Sequence, residues 1–85
     1  MPKSLILAEV SDWTNENPLR RFRRANGIKA IEVAILLETQ ASRVYYLENG
    51  TTRPTHDELD TLSVLMENPR IKKDWTDWLM RRPRV

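Results

Sequence analysis

At 85 residues, with 40% hydrophobic and 31% charged residues and a net charge of +2, the chain suits one small soluble domain with a modest core. The absence of cysteine excludes disulfides and thiolate metal sites and fits a cytoplasmic location. No apolar run approaches the roughly 20 residues that span a membrane, and Leu5-Ile6-Leu7-Ala8 is too short, and too acidic just beyond it, for a secretory signal.

The strong periodic signals are all helical. Residues 4–13 carry Ile6, Val10 and Trp13 at helical spacing, which predicts a short helix, with a strand or pairing arm as the alternative because Leu5-Ile6-Leu7 is also β-compatible. Asn17-Pro18 is a helix start, a side-chain cap followed by proline at the first helical position. That helix is expected to run to about Ala25, to bury Leu19 and Phe22, and to end where Gly27 takes the left-handed cap. A second is expected over 29–37 with Val33, Ala34 and Leu37 inward. A third is expected over 41–48, capped by Gln40 or Thr39 and burying Val44 and Leu47, and Asn49-Gly50 stops it. After the loop 51–54, Thr55 with Glu58 three residues on forms a capping box, and Leu59, Leu62 and Leu65 or Met66 make the buried face. Asn68-Pro69 repeats the start signal for a last helix carrying Ile71, Trp75, Trp78 and Leu79. The tail 81–85 is basic and expected to fray.

Catalysis has little to work with. His56 is the only histidine, and it falls in a helix-start region beside Asp57 and Glu58. Two glycines cannot make a phosphate-cradling loop. No catalytic residue, metal ligand set, cofactor or small-molecule substrate is predicted. Charge distribution says more than net charge. Arg20, Arg21, Arg23 and Arg24 form one basic block, and Arg70, Lys72, Lys73, Arg81, Arg82 and Arg84 another, on either side of a near-neutral middle. Two such blocks can grip a polyanion at both ends of a reading surface; solvated helix faces are the alternative for each.

The run Gly27, Ala34, Leu37, Val44, Leu47-Glu48-Asn49-Gly50 and Pro54 resembles the Cro/repressor-type (lambda-repressor-like) helix-turn-helix family of phage and bacterial transcription regulators, over about residues 19–66. The resemblance implies an all-α, compact bundle of about five helices. An N-terminal extension, helix or arm, would occupy 1–16, the helix-turn-helix domain 17–80 and a basic tail 81–85. It implies a sequence-specific regulator, a repressor, that binds double-stranded DNA at a two-fold operator as a homodimer. It also implies an ion pair between Arg23 and Glu48. Restriction–modification controllers and antitoxins are relatives of the same kind, all working in the cytoplasm of a bacterium or of a phage-infected host.

Burying Val44 and Leu47 turns Ser42, Tyr45 and Tyr46 outward with Ala41 and Arg43 on the flanks. With Gln40, these match the base-reading positions of the family. Arg43 would favour guanine if it reaches the base, Gln40 could bond to a phosphate or an adenine, and Ala41 or a tyrosine ring could pack on a thymine methyl. Phosphate contacts are expected from helix starts and loop amides at Lys29, Asn49, Thr51, Thr52, Arg53 and Thr55. Three departures stand out. Glu38 occupies the turn position usually held by Gly, and Ala30 replaces a phosphate-contacting Gln. Ile31 and Ile35 replace polar residues, which predicts cover by Leu5, Ile6, Val10 or Trp13, or by a partner. Trp75 and Trp78 pose the same choice between core lid and subunit interface. These features also admit a second class of function, a protein-interaction module that keeps this fold without binding DNA.

Overall fold

Six helices follow one another in this computed structural model, which describes residues 3–84, with side chains from residue 8 onward. They are α1 (Lys3–Asn15), α2 (Pro18–Asn26), α3 (Ala30–Leu36), α4 (Ala41–Glu48), α5 (His56–Leu65) and α6 (Ile71–Met80). No strand occurs among the described residues, so the N-terminal segment is a helix rather than a β-arm and raises the number from about five to six. None of the described helices is long and apolar enough to cross a membrane.

Local chemistry sets most of the boundaries. Asn17 Oδ1 accepts the Arg20 N–H at 3.0 Å, and Pro18 opens α2. The helix closes at Gly27, whose φ of 64° needs no Cβ accommodation, as Ile28 N–H returns to Arg23 O at 2.8 Å. Thr55 Oγ1 accepts the Glu58 N–H at 3.1 Å while Glu58 Oε1 accepts the Thr55 N–H at 2.8 Å, a reciprocal box that starts α5.

The second Asn-Pro behaves differently. Glu67 takes a left-handed φ of 50°, and Asn68 N–H bonds Ser63 O at 2.9 Å to close α5. Asn68 therefore belongs to the end of one helix and cannot cap the next. Its Oδ1 accepts the Arg70 N–H two residues on, its Nδ2 donates to Asp74 Oδ2 at 2.8 Å, and α6 begins only at Ile71.

The core gathers Leu19, Val33, Ala34, Val44, Leu47 and Leu62 around three indoles. Phe22, expected inside, is only half-buried. Trp13 and Trp78 stack with centroids 4.1 Å apart and planes 2° from parallel. Each indole N–H donates to the other residue's carbonyl, at 2.8 Å and 2.7 Å, which satisfies four polar groups in the interior at once. Trp75 meets Trp78 edge-on at 5.8 Å. Gly50 lies against this stack: a Cβ there would stand 2.5 Å from Trp13 Cη2. Its glycine is needed for that approach as well as for its φ of 77°.

Two choices left open by the sequence are narrowed here. Trp75 and Trp78 are 2% and 0% exposed within the single chain, so neither is available as an interface side chain; reciprocal bonding with Trp13 holds Trp78 inward, and Trp75 packs edge-on against it. Trp13 is thereby committed to α6 and does not cover Ile31 or Ile35, which remain 50% and 69% exposed. Val10 is half-buried, and the Leu5 and Ile6 side chains lie outside the described residues.

Candidate functional site

Among helix pairs, α3 and α4 pack most extensively. Leu37, Glu38, Thr39 and Gln40 join them. Glu38 keeps the left-handed turn, at φ 56°, although it is not glycine, and Thr39 N–H reaches back to Ala34 O at 2.9 Å. The turn thus keeps the geometry in which glycine would be easier, and strain of about 1 kcal/mol accompanies it. At the start of α3, Ala30 is buried and Lys29 is an exposed N-cap residue whose amide contacts Glu32 Oε1 at 3.4 Å. Lysine has no acceptor, so only the glutamate half of a capping exchange forms.

Val44, Leu47 and Glu48 are fully buried, which fixes the rotation of α4. Ser42, Tyr45, Tyr46 and Asn49 recur at i, i+3, i+4 and i+7 and are all exposed, with Gln40 exposed just before them and Ala41 half-buried at the edge. Both tyrosines are 52% exposed, so neither ring is buried in the core. The strip is uncharged and carries amide, hydroxyl and aromatic groups.

An arginine–glutamate pair holds each end of α4. At its C-terminal end, Arg23 Nη2 donates to Glu48 Oε1 at 2.7 Å and Nε to Glu48 Oε2, while Nη1 donates to Ile28 O at 3.1 Å. The Arg23 side chain is 12% exposed and the Glu48 side chain 0%. One guanidinium thus joins α2, the entry to α3 and the end of α4. The hydrogen bond to Glu48, outweighing desolvation, raises the Arg23 pKa.

At the other end, Arg43 departs from its predicted role. Its Nη2 donates to Glu58 Oε1 at 2.8 Å and its Nε to Glu58 Oε2 at 3.1 Å. Nη1 donates to Thr52 Oγ1 at 3.2 Å, and Nη2 approaches Arg53 O at 3.4 Å. The guanidinium faces α5 and the loop, so it is not presented as a base reader. The Arg43 bond holds the Glu58 carboxyl below the ordinary glutamate range, against desolvation and with help from the Thr55 amide. Glu58 is the residue that sequence reasoning missed. Its place in the capping box was legible, but a box uses one oxygen, and nothing in the spacing shows that the carboxylate also faces α4.

The loop after α4 also looks different in three dimensions. Thr51 N–H bonds Asn49 Oδ1 at 2.9 Å and Tyr46 O at 3.0 Å, Thr52 N–H bonds Tyr46 O at 3.3 Å, and Thr55 N–H bonds Glu58. These amides complete helix ends and are not held open for a phosphate. What the loop presents outward is the exposed side chains of Asn49, Thr51, Arg53 and Thr55, with Thr52 half-buried. The expected loop-amide clamp therefore lacks the Thr51, Thr52 and Thr55 amides, and the exposed cations are Arg53 and Lys29. His56 is exposed at the start of α5. Comparison of the chain with protein-family models, with curated proteins and with solved structures finds no match.

Proposed function

We propose that this chain is a sequence-specific DNA-binding transcription regulator of the Cro/repressor type, a homodimer that lays α4 in the major groove with α3 and α4 as its helix-turn-helix. The observation that carries this reading is the uncharged strip Gln40, Ser42, Tyr45 and Tyr46. It stands out from a helix whose opposite face is locked by Val44, Leu47 and Glu48. Rigid presentation of a few polar and aromatic side chains is what direct readout of base edges requires. Lys29, before α3, and Arg53, in the loop after α4, are exposed and would serve as the phosphate-binding cations.

Selection of the purified protein against random duplex DNA tests the proposal. The expected product is a two-fold site with half-sites about one helical turn apart. The double substitution Ser42→Ala, Tyr46→Ala should weaken binding to that site about tenfold or more while leaving non-specific binding in place. Unchanged operator affinity in the double variant would exclude α4 as the reader.

A second reading, a protein-interaction module, is favoured by a different observation. Ile31, Ile35, Leu36 and Val64 are 50%, 69%, 52% and 78% exposed, a concentration of aliphatic surface on α3 and α5 that a lone domain has little reason to keep. Failure to enrich any DNA sequence would favour this reading over the first.

A further inference from the structure

Arginine is the side chain that most often reads guanine, through a bidentate fork. Arg43 uses that fork on the protein instead, gripping both oxygens of Glu58 and reaching Thr52 Oγ1 and Arg53 O. Glu58 in turn accepts the Thr55 N–H. The result is a closed ring through α4, the 51–55 loop and the first turn of α5. To reach a base edge, Arg43 would have to leave Glu58, whose side chain is 13% exposed, with its charge largely desolvated and unpaired.

We infer that Arg43 is a positioning residue: it fixes the 51–55 loop so that Thr51 and Arg53 meet phosphates in one geometry, and it leaves base discrimination to Gln40, Ala41, Ser42, Tyr45 and Tyr46. The inference rests on the DNA-binding reading above and deepens it. An uncharged reading strip has consequences for the target. A glutamine amide matches adenine, and an alanine methyl or a tyrosine ring matches the thymine methyl. The half-site is therefore rich in A·T pairs and lacks an arginine–guanine contact from α4.

Two conservative variants of the full chain test this. Arg43→Lys keeps the charge but loses the fork, and Glu58→Gln keeps an acceptor for the Thr55 amide but removes the charge. In the free protein, amide exchange at Thr52 and Thr55 should become about tenfold faster in both variants, as a charge-assisted bond is weakened. On DNA, both should lose affinity by a similar factor for every sequence, with the selected sequence unchanged. If instead Glu58→Gln, by releasing Arg43, tightened binding or introduced a preference for guanine, Arg43 would be a base reader held in reserve and the inference would be wrong. Exchange rates like those of the parent in both variants would equally overturn the ordering of the loop. A parent protein that enriches no DNA, with faster loop exchange in the variants, would overturn the DNA-binding reading and the phosphate role together while leaving the ring itself intact.

Discussion

The two ends of α4 are held by the same chemistry in different surroundings. Arg23 and Glu48 pair where the side chains are 12% and 0% exposed, whereas Arg43 and Glu58 pair at 31% and 13%. The first joins α2, the entry to α3 and the end of α4 around a fully buried carboxylate, with little access to water. The second ties down a surface loop, where water reaches Arg43, the more exposed partner. Burial, more than hydrogen-bond geometry, decides what each pair does: the inner pair makes the fold all-or-none at that point, and the outer one sets how firmly a loop is held.

The comparison is sharpest when the inner pair is broken on one side. Arg23→Met leaves the Glu48 carboxylate buried beneath α2 without its fork, and the expected loss is about 3–5 kcal/mol. Replacing both partners, Arg23→Met with Glu48→Leu, should recover most of that loss, because no buried charge then remains. Urea unfolding of the two variants checks both statements. A single variant within about 1 kcal/mol of the parent would mean that the inner pair behaves like a surface one, and the contrast would collapse.

The outer pair should respond to acid. The folded Glu58 carboxyl titrates below its ordinary range because Arg43 binds its ionised form. Its contribution is therefore complete above the unfolded glutamate pKa and is lost as pH falls through the lower, folded value. Glu58→Gln should cost about 1 kcal/mol or less at neutral pH and should flatten the acid side of the stability profile relative to the parent. Parallel acid limbs in parent and variant, measured by denaturation between neutral and acid pH, would remove Glu58 from the account.

The same two ends show what a sequence discloses. The inner pair was expected from the family resemblance, which matches Arg23, two helices earlier, to an arginine that pairs with the glutamate at Glu48. The α2 and α5 starts were legible for a local reason: a cap and its partner lie within four residues. Glu58 with Arg43 was not, because the contact crosses a loop whose course depends on packing. Nor was the commitment of Trp13 to Trp78, 65 residues away, which goes with the core placement of Trp75 and Trp78, one of the two the sequence left open. At the site, the exposure of Ser42, Tyr45 and Tyr46 followed from helical period alone, while the inward turn of Arg43 and the internal bonding of the loop amides depended on tertiary partners.

Glu38 offers the smallest effect and the cleanest separation of fold from recognition. It holds φ 56° where Gly27 holds 64° in the equivalent closure of α2, with Thr39 N–H on Ala34 O in one turn and Ile28 N–H on Arg23 O in the other. A side chain in this region costs about 1 kcal/mol relative to glycine, but glycine also makes the unfolded chain looser. The two effects oppose each other, and relief of the left-handed strain is the larger. Glu38→Gly should therefore stabilise the protein by up to about 1 kcal/mol. It should also remove an exposed carboxylate one residue from the start of the linker to α4, so any DNA affinity should rise slightly at low salt and converge with that of the parent at high salt. Thermal unfolding measures the first effect and a salt titration the second. A destabilised Glu38→Gly would show that the glutamate side chain is part of what holds the turn between α3 and α4.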